Sequence, residues 1–469
     1  MQHHPRTSNQ AKNRLSRFIF LGLALWAMPF FWFGCSTRSE KAGIRILWAD
    51  WQPAEALNEL AKLYTKQTGI SVQIVKKSWA GAFMTATLAE FRNRGDHYDI
   101  IIGDSQWLGL GAEGGHYLEL TDWVSSHIPK DKLVPESFKW YGEYPKGSGR
   151  AFAVPCQGDV MVWAYRKDLF EDARYERAFQ KFLKRKQVAA FHLAPPATWE
   201  QLHWIAFFFK ETFPSMSGVA MATSQNYDMV TMSFEQILWA MGGGFGNYEN
   251  FEANFNTPFT IKALHYFDEL IESSTEAGHN LGYGDVMNEY FEGRAAMICS
   301  FLSFHPSLLN PLENPDYHDK TGFFNSPAFI DSLGIAHKAA SLGGQGMSVN
   351  AHISVDRQHQ ALDFIQWFSS TEVQHLWAEK GGFSLNLDVL RSEKFIHAKP
   401  YNPLVEEAFG IMKDFWSIPE FDRLMAVTQR EISGVIRHEF TPEAAAARIQ
   451  ESHRQILESR KDIRWKMQP

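Results

Sequence analysis

Ile44–Trp48 (IRILW), Pro53–Tyr64 (PAEALNELAKLY), Ile70–Ile74 (ISVQI) and Asp99–Gly103 (DIIIG) decide the fold of this chain. The first is a short β run. Pro53 then opens a helix with Leu57, Leu60, Ala61 and Tyr64 on one face, and Gly69 closes it. Proline in the first turn and glycine just past the last is the expected asymmetry. Ile70, Val72 and Ile74 alternate with polar residues, which predicts a second strand. A helical stretch through Met84, Leu88 and Phe91 leads to Asp99–Gly103, an apolar run suited to a sheet covered on both faces. Strand, helix, strand, helix, strand implies right-handed crossovers and an open parallel sheet. Ligands on such sheets sit beyond the carboxyl ends of the strands. Those ends carry Trp48, Asp50 and Trp51, then Trp79, then Asp104, Gln106 and Trp107.

Upstream of this unit, Arg6, Lys12, Arg14 and Arg17 precede the apolar run Phe18–Phe33 (FIFLGLALWAMPFFWF). Sixteen residues are few for a membrane span of about 20 and suit the h-region of a secretory signal. Gly34 and Cys35 follow, then a polar stretch. A small residue before cysteine at the end of an h-region resembles a bacterial lipoprotein signal, in which the cysteine becomes the lipidated N-terminus. Trp32 and Phe33 stand where that signal prefers Leu and a small residue. An uncleaved anchor and ordinary secretion are the alternatives, and all three place the body outside the cytoplasm.

The whole chain has 469 residues, 46 basic and 53 acidic, for a net charge of −7. Residues 1–34 hold four of the basic residues and no acidic one. The remainder has 42 against 53, or −11. That argues against a nucleic-acid binder, which needs a basic face to replace phosphate counterions. A 45% apolar content argues against disorder. Three cysteines are too few for a disulfide scaffold. Cys156 and Cys299 read as small buried hydrophobes, with pairing the alternative.

Beyond Tyr165 the pattern is mostly helical. Lys181–Lys186 (KFLKRK) reads as a solvated helix face, and Thr198 as the N-cap of a helix containing Ile205 and Phe208. Asp356–Ser370 and Thr371–Lys380 read as helices, the second ended by Gly381–Gly382. No G-x-S-x-G elbow, H-E-x-x-H or C-x-x-C pair occurs. Gly242–Gly246 lacks the Gly-Lys-Ser/Thr of a phosphate loop and reads as a turn after a helix. No metal site and no cofactor are expected. What stands out is Trp, Asp, Glu and Gln at strand and loop ends. Indole and phenol rings offer flat apolar faces to sugar C–H groups, and carboxylates and amides pair with hydroxyls. The same combination can cage an organic cation. Any single Trp is more often a core residue.

Along nearly all of the body the chain resembles the family 1 extracellular solute-binding proteins of ABC importers, the group that includes maltose-binding protein. Asp99–Gly109 with Gly115 and Leu118–Leu120 is similar to the family's D-I-I…D…G…G…L stretch. Ala153–Pro155 through Asp159 to Ala164–Phe170 resembles its crossover, with Arg166 for the usual Asn. Pro196–Leu202 (PATWEQL), Asn288–Met297, Leu342–Val349 and Ala361–Phe368 resemble four further motifs in order. The resemblance implies an α/β, two-lobed periplasmic-binding-protein-like fold of type II. Each lobe would be an open, mostly parallel sheet flanked by helices, and the lobes would hinge over a solute. It implies a signal segment over 1–34 and a tether over 35–42. Lobe 1 would take 43–153 and 345–399, and lobe 2 would take 154–344 and 400–469.

Carried over by position, the resemblance places ligand contacts at Gln106 and Trp107, with Asp104 just before them, and a cleft carboxylate at Asp159. Tyr227, Glu235 and Trp239 fall before the Gly242 turn. Phe301 stands where a Trp often sits, and Gln345 replaces a familiar Trp. Trp416 and Phe421, with Phe415, lie in the last cleft-facing region, and Trp48, Asp50, Trp51 and Trp79 join from the strand ends. The expected role is a monomeric, non-enzymatic binder that delivers a sugar or oligosaccharide to ABC permease subunits, tethered to the membrane through a lipidated Cys35. The alternatives are a polyamine, quaternary amine, polyol or other solute in the same role, or an exported carbohydrate-active enzyme using two carboxylates.

Overall fold

The computed structural model describes residues 43–467 apart from Ala80. The signal expectation for residues 1–34, the lipidated Cys35 and the tether over 35–42 lie outside the described residues. Among the described residues, no helix is long and apolar enough to cross a membrane.

Strands β1 (Ile44–Ala49), β2 (Val72–Lys77) and β3 (Ile100–Asp104) follow the expected order, joined by helices Gln52–Thr68 and Ala82–Asn93. Gly69 takes φ 75° and donates its N–H to the Thr65 carbonyl, which ends the first helix in a left-handed cap. β1 pairs in parallel with β2 and β3. Ile46 and Leu47 of β1 and Ile100–Ile102 of β3 are fully buried because helices cover both faces.

The chain then crosses on β4 (Val154–Arg166). The far half adds β5 (Ser217–Ala220), β6 (Ala295–Phe301) and β7 (Thr321–Phe324). It returns on β8 (Ala340–Val349), and β9 (Met412–Lys413) follows near the end. The order is β2-β1-β3-β8-β4-β6-β5, with β9 on β8 and β7 on β4. The sheet is mixed. β5 and β6 are parallel, whereas β4 runs antiparallel to β6, β7 and β8.

β4 and β8 belong to both halves. Gln345–Val349 pairs with β3, and Leu342–Gln345 pairs with Val160–Gln157 of β4. The register shifts between Gln345 and Gly346. Gly344 sits at this crossing with φ 81°, and an added Cβ would lie 2.1 Å from the Gln157 carbonyl oxygen. Only glycine meets both demands there.

The remaining local expectations hold. The Thr198 hydroxyl accepts from the Gln201 N–H and caps Trp199–Thr212. Ala361, Phe364, Ile365 and Phe368 form the buried face of Val355–Phe368. Lys181, Lys184, Arg185 and Lys186 are exposed while Phe182 and Leu183 are buried. Gly242 turns the chain after Met229–Ala240 with φ 86°. Cys156 and Cys299 are free, buried thiols.

Candidate functional site

A cavity of about 790 Å³ lies where the two halves of the sheet meet. The near half supplies Asp50 and Trp51 from the end of β1, Trp79 beyond β2, and Asp104 with Gln106 from the end of β3. β4 supplies Asp159. The loop before Met229–Ala240 supplies Asn226, Tyr227 and Asp228, and the helix itself supplies Met229 and Met232, three residues apart on one face. Tyr283, Phe301, Ser303, Phe304 and Phe415 close the far wall, and Leu342–Gln345 of the shared strand forms the floor.

A hydrogen-bonded chain runs across this floor. The Trp48 indole donates to Gln345 Oε1 at 3.1 Å, and Gln345 Nε2 donates to Asp104 Oδ1 at 2.5 Å. The Tyr227 hydroxyl, from the opposite half, donates to Asp104 Oδ2. The wall is also aromatic. Trp51 and Trp79 meet edge to face at 5.6 Å, Trp79 approaches Tyr227 at 6.3 Å, and Tyr283 meets Phe301 at 5.2 Å. Trp79 and Tyr227 keep 36% and 37% of their surfaces exposed, which large rings in a finished core do not.

The charged lining residues are all acidic. Asp50 sits at the mouth and pairs with Lys76 at 3.1 Å. Asp159 is 2% exposed; its Oδ1 accepts from the Val160 N–H at 2.9 Å and the Ser303 N–H at 3.2 Å. Burial outweighs these bonds and pushes its carboxyl up to about 7. Asp228 accepts from the Tyr283 hydroxyl at 2.9 Å and is likewise pushed by burial to about 7. Burial also raises Asp104, against the hydrogen bonds from Tyr227 and Gln345. Among the described residues, no lysine, arginine or histidine lines the cavity. Among the described residues, no group of three or more His, Cys, Asp and Glu is placed to hold a metal.

Nine of the expected contact residues reach the cavity wall: Asp50, Trp51, Trp79, Asp104, Gln106, Asp159, Tyr227, Phe301 and Gln345. Six do not. Trp48 is fully buried behind Gln345, stacked on Trp377, because strand alternation turns it into the core. Trp107 packs on Phe83 at 5.0 Å, on the core side of the loop that presents Gln106. Glu235 lies one helical turn beyond Met232 and is fully enclosed. Neither of its carboxylate oxygens receives a hydrogen bond, since the nearby Ser341 hydroxyl donates to the Met232 carbonyl. Burial raises the Glu235 carboxyl well above the usual carboxylate range. Trp239 is half-buried and meets Phe245 at 6.4 Å. Trp416 stacks on Tyr248 at 5.5 Å, and its indole donates to the Phe421 carbonyl, with Phe421 buried beside it. The neighbouring Phe415, its ring 5.0 Å from that of Trp416, takes the wall position instead.

Sequence reasoning missed Asn226, Asp228, Met229, Met232, Tyr283, Ser303 and Phe304. Asp228 adjoins Tyr227, and Phe304 follows Phe301 by three residues, so local extension of the named positions would have reached both. Tyr283 carries no local signal; only the fold brings it to Asp228.

The matches to known proteins accord with this geometry. The model of the bacterial extracellular solute-binding protein family matches residues 48–375. The chain belongs to that family. It is 21% identical to the probable amino-acid ABC transporter periplasmic-binding protein y4oP of Sinorhizobium fredii, over 87% of each chain. Among solved structures, maltose-bound MalE3 of T. maritima superposes with a TM-score of 0.72 at 19% identity, covering 89% of this chain and 100% of that one. A ribitol complex of an ABC transporter solute-binding protein from Agrobacterium radiobacter superposes with 0.72 at 20% identity, covering 89% and 99%. The fold is therefore the two-lobed, type II periplasmic-binding-protein fold. Its members are extracytoplasmic solute-binding components of ABC transporters, and this chain is one of them.

Proposed function

We propose that the chain captures a carbohydrate or polyol between its two lobes and presents it to the permease. The observation that carries this is the cavity wall. Flat rings at Trp51, Trp79, Tyr227 and Tyr283 face carboxylates and amides at Asp104, Asp159, Gln106 and Gln345 within one space of about 790 Å³. That volume is in the upper part of the range of about 300–1,000 Å³ for ligand pockets and accommodates more than one sugar ring. Maltose and ribitol in the related structures support the reading. Lobe boundaries at 43–153 with 345–399 and 154–344 with 400–469 would put the crossing at Gly344–Gln345. The nine residues above are the proposed contacts. The Tyr227–Asp104 bond spans the lobes, and contacts of this kind, absent when the lobes part, supply the free energy of closure.

The protein acts as a monomeric binder and not an enzyme, held at the membrane by a lipidated Cys35. A panel of mono- and oligosaccharides and polyols, followed by thermal shift and Trp fluorescence, tests the central claim. Saturable binding without product formation is expected. No response to any member would overturn it, and glycoside cleavage abolished by Asp159→Asn would convert the binder into an enzyme.

A further inference from the structure

The carbohydrate reading leaves one property of the cavity unused, namely its charge. Asp104, Asp159 and Asp228 come from β3, β4 and the loop before Met229–Ala240, and they line one cavity, with Asp159 and Asp228 buried in its wall. Among the described residues, none has a cationic partner. Lys76 is committed to Asp50 and Glu55 at the mouth, and Lys146 to Asp414 at 2.6 Å. A neutral sugar satisfies carboxylate lone pairs through hydroxyls yet leaves the charges uncompensated in a medium where water no longer screens them.

We propose that the solute carries an ammonium group on its polyhydroxylated skeleton, making it an amino sugar, amino-oligosaccharide or amino-polyol. This rests on the carbohydrate reading and narrows it. One positive charge among Asp104, Asp159 and Asp228 offsets part of their negative charge, and the rings of Trp79, Tyr227 and Tyr283 offer π faces to the same cation. The hydroxyls pair with Gln106, Gln345 and Asn226. A free amino acid fits less well, because its carboxylate would meet the same acids with no lining cation to receive it. The raised carboxyls of Asp159 and Asp228 agree: empty, the site holds protons near neutrality, and an entering ammonium group expels them.

Matched pairs test it in the full-length body. The β-1,4 glucosamine dimer is compared with cellobiose, and N-methylglucamine with sorbitol, by isothermal titration at pH 7 in two buffers of different ionisation heat. The amine of each pair is expected to bind at least tenfold tighter, and N-methylglucamine to release protons to the buffer. Asp159→Asn and Asp228→Asn, each checked for an intact thermal transition, are expected to shrink the amine-to-neutral ratio toward one. Equal or tighter binding of the neutral partners, with no proton release, overturns the inference and leaves the carbohydrate reading standing. Binding of spermidine with no response to any polyhydroxylated ligand overturns both.

Discussion

Replacing Asp159 by Asn should stabilise the unliganded protein, and only above about pH 5. Asp159 is buried and pushed from 3.8 to about 7. The native state therefore holds a proton that the unfolded chain releases across that interval. Stability then falls as pH rises from about 4 to about 7, and the full penalty stands above pH 7. Three pKa units at about 1.4 kcal/mol each amount to about 4 kcal/mol. An Asn Oδ1 still accepts from the Val160 and Ser303 amides, so the substitution removes the charge and keeps the local bonds. Urea unfolding, followed by Trp fluorescence at pH 4.5, 6, 7 and 8, measures the difference. The variant is expected to gain up to about 4 kcal/mol at pH 8 and to converge on the parent near pH 4.5. The m-value should be unchanged, because the exposed surface is the same. A stability gap that does not vary with pH, or an Asn variant weaker at pH 8, would refute the assignment of a buried, charge-strained carboxylate. The same variant should bind its solute more weakly, the usual exchange of stability for a prepared site.

Tyr227→Phe deletes the hydroxyl that reaches Asp104 across the cleft. A bond to a charged group contributes about 1.5–3 kcal/mol, so solute affinity should fall by roughly ten- to a hundredfold. X-ray scattering should show a larger radius of gyration for the variant at equal solute concentration. Trp79→Ala removes a ring that is 36% exposed at the cavity wall. Affinity is expected to drop by about 1 kcal/mol in titration calorimetry, with the melting temperature little changed. Gly344→Ala places a Cβ 2.1 Å from the Gln157 carbonyl oxygen at φ 81°. A loss of more than about 2 kcal/mol is expected by denaturant melt, and an unaffected transition would disprove the need for glycine at the crossing.

Much of the fold was legible because it rests on local rules. Pro53 and Gly69 bound a helix whatever surrounds it, and three apolar runs separated by helices specify a covered sheet. The mixed pairing was less legible. β4 and β8 run antiparallel between residues nearly two hundred positions apart, a matter of chain return that no window of sequence contains. The site divided in the same way. Asp50, Trp51, Trp79, Asp104 and Gln106 follow from where strands end.

The far wall does not follow from strand ends. Phe415 and Trp416 are adjacent aromatics, yet one lines the cavity and the other stacks on Tyr248. Glu235 and Met232 share a helix, and one turn separates the sealed core from the cavity wall. Sequence by itself determined the family, the near-half sheet and the chemistry present at its strand ends, because periodicity and turn residues act over a few positions. Only the tertiary structure decided which rings face the cleft. It also brought three uncompensated carboxylates from separate elements into one space, and that concentration of charge arises from packing distance, which the order of residues does not record.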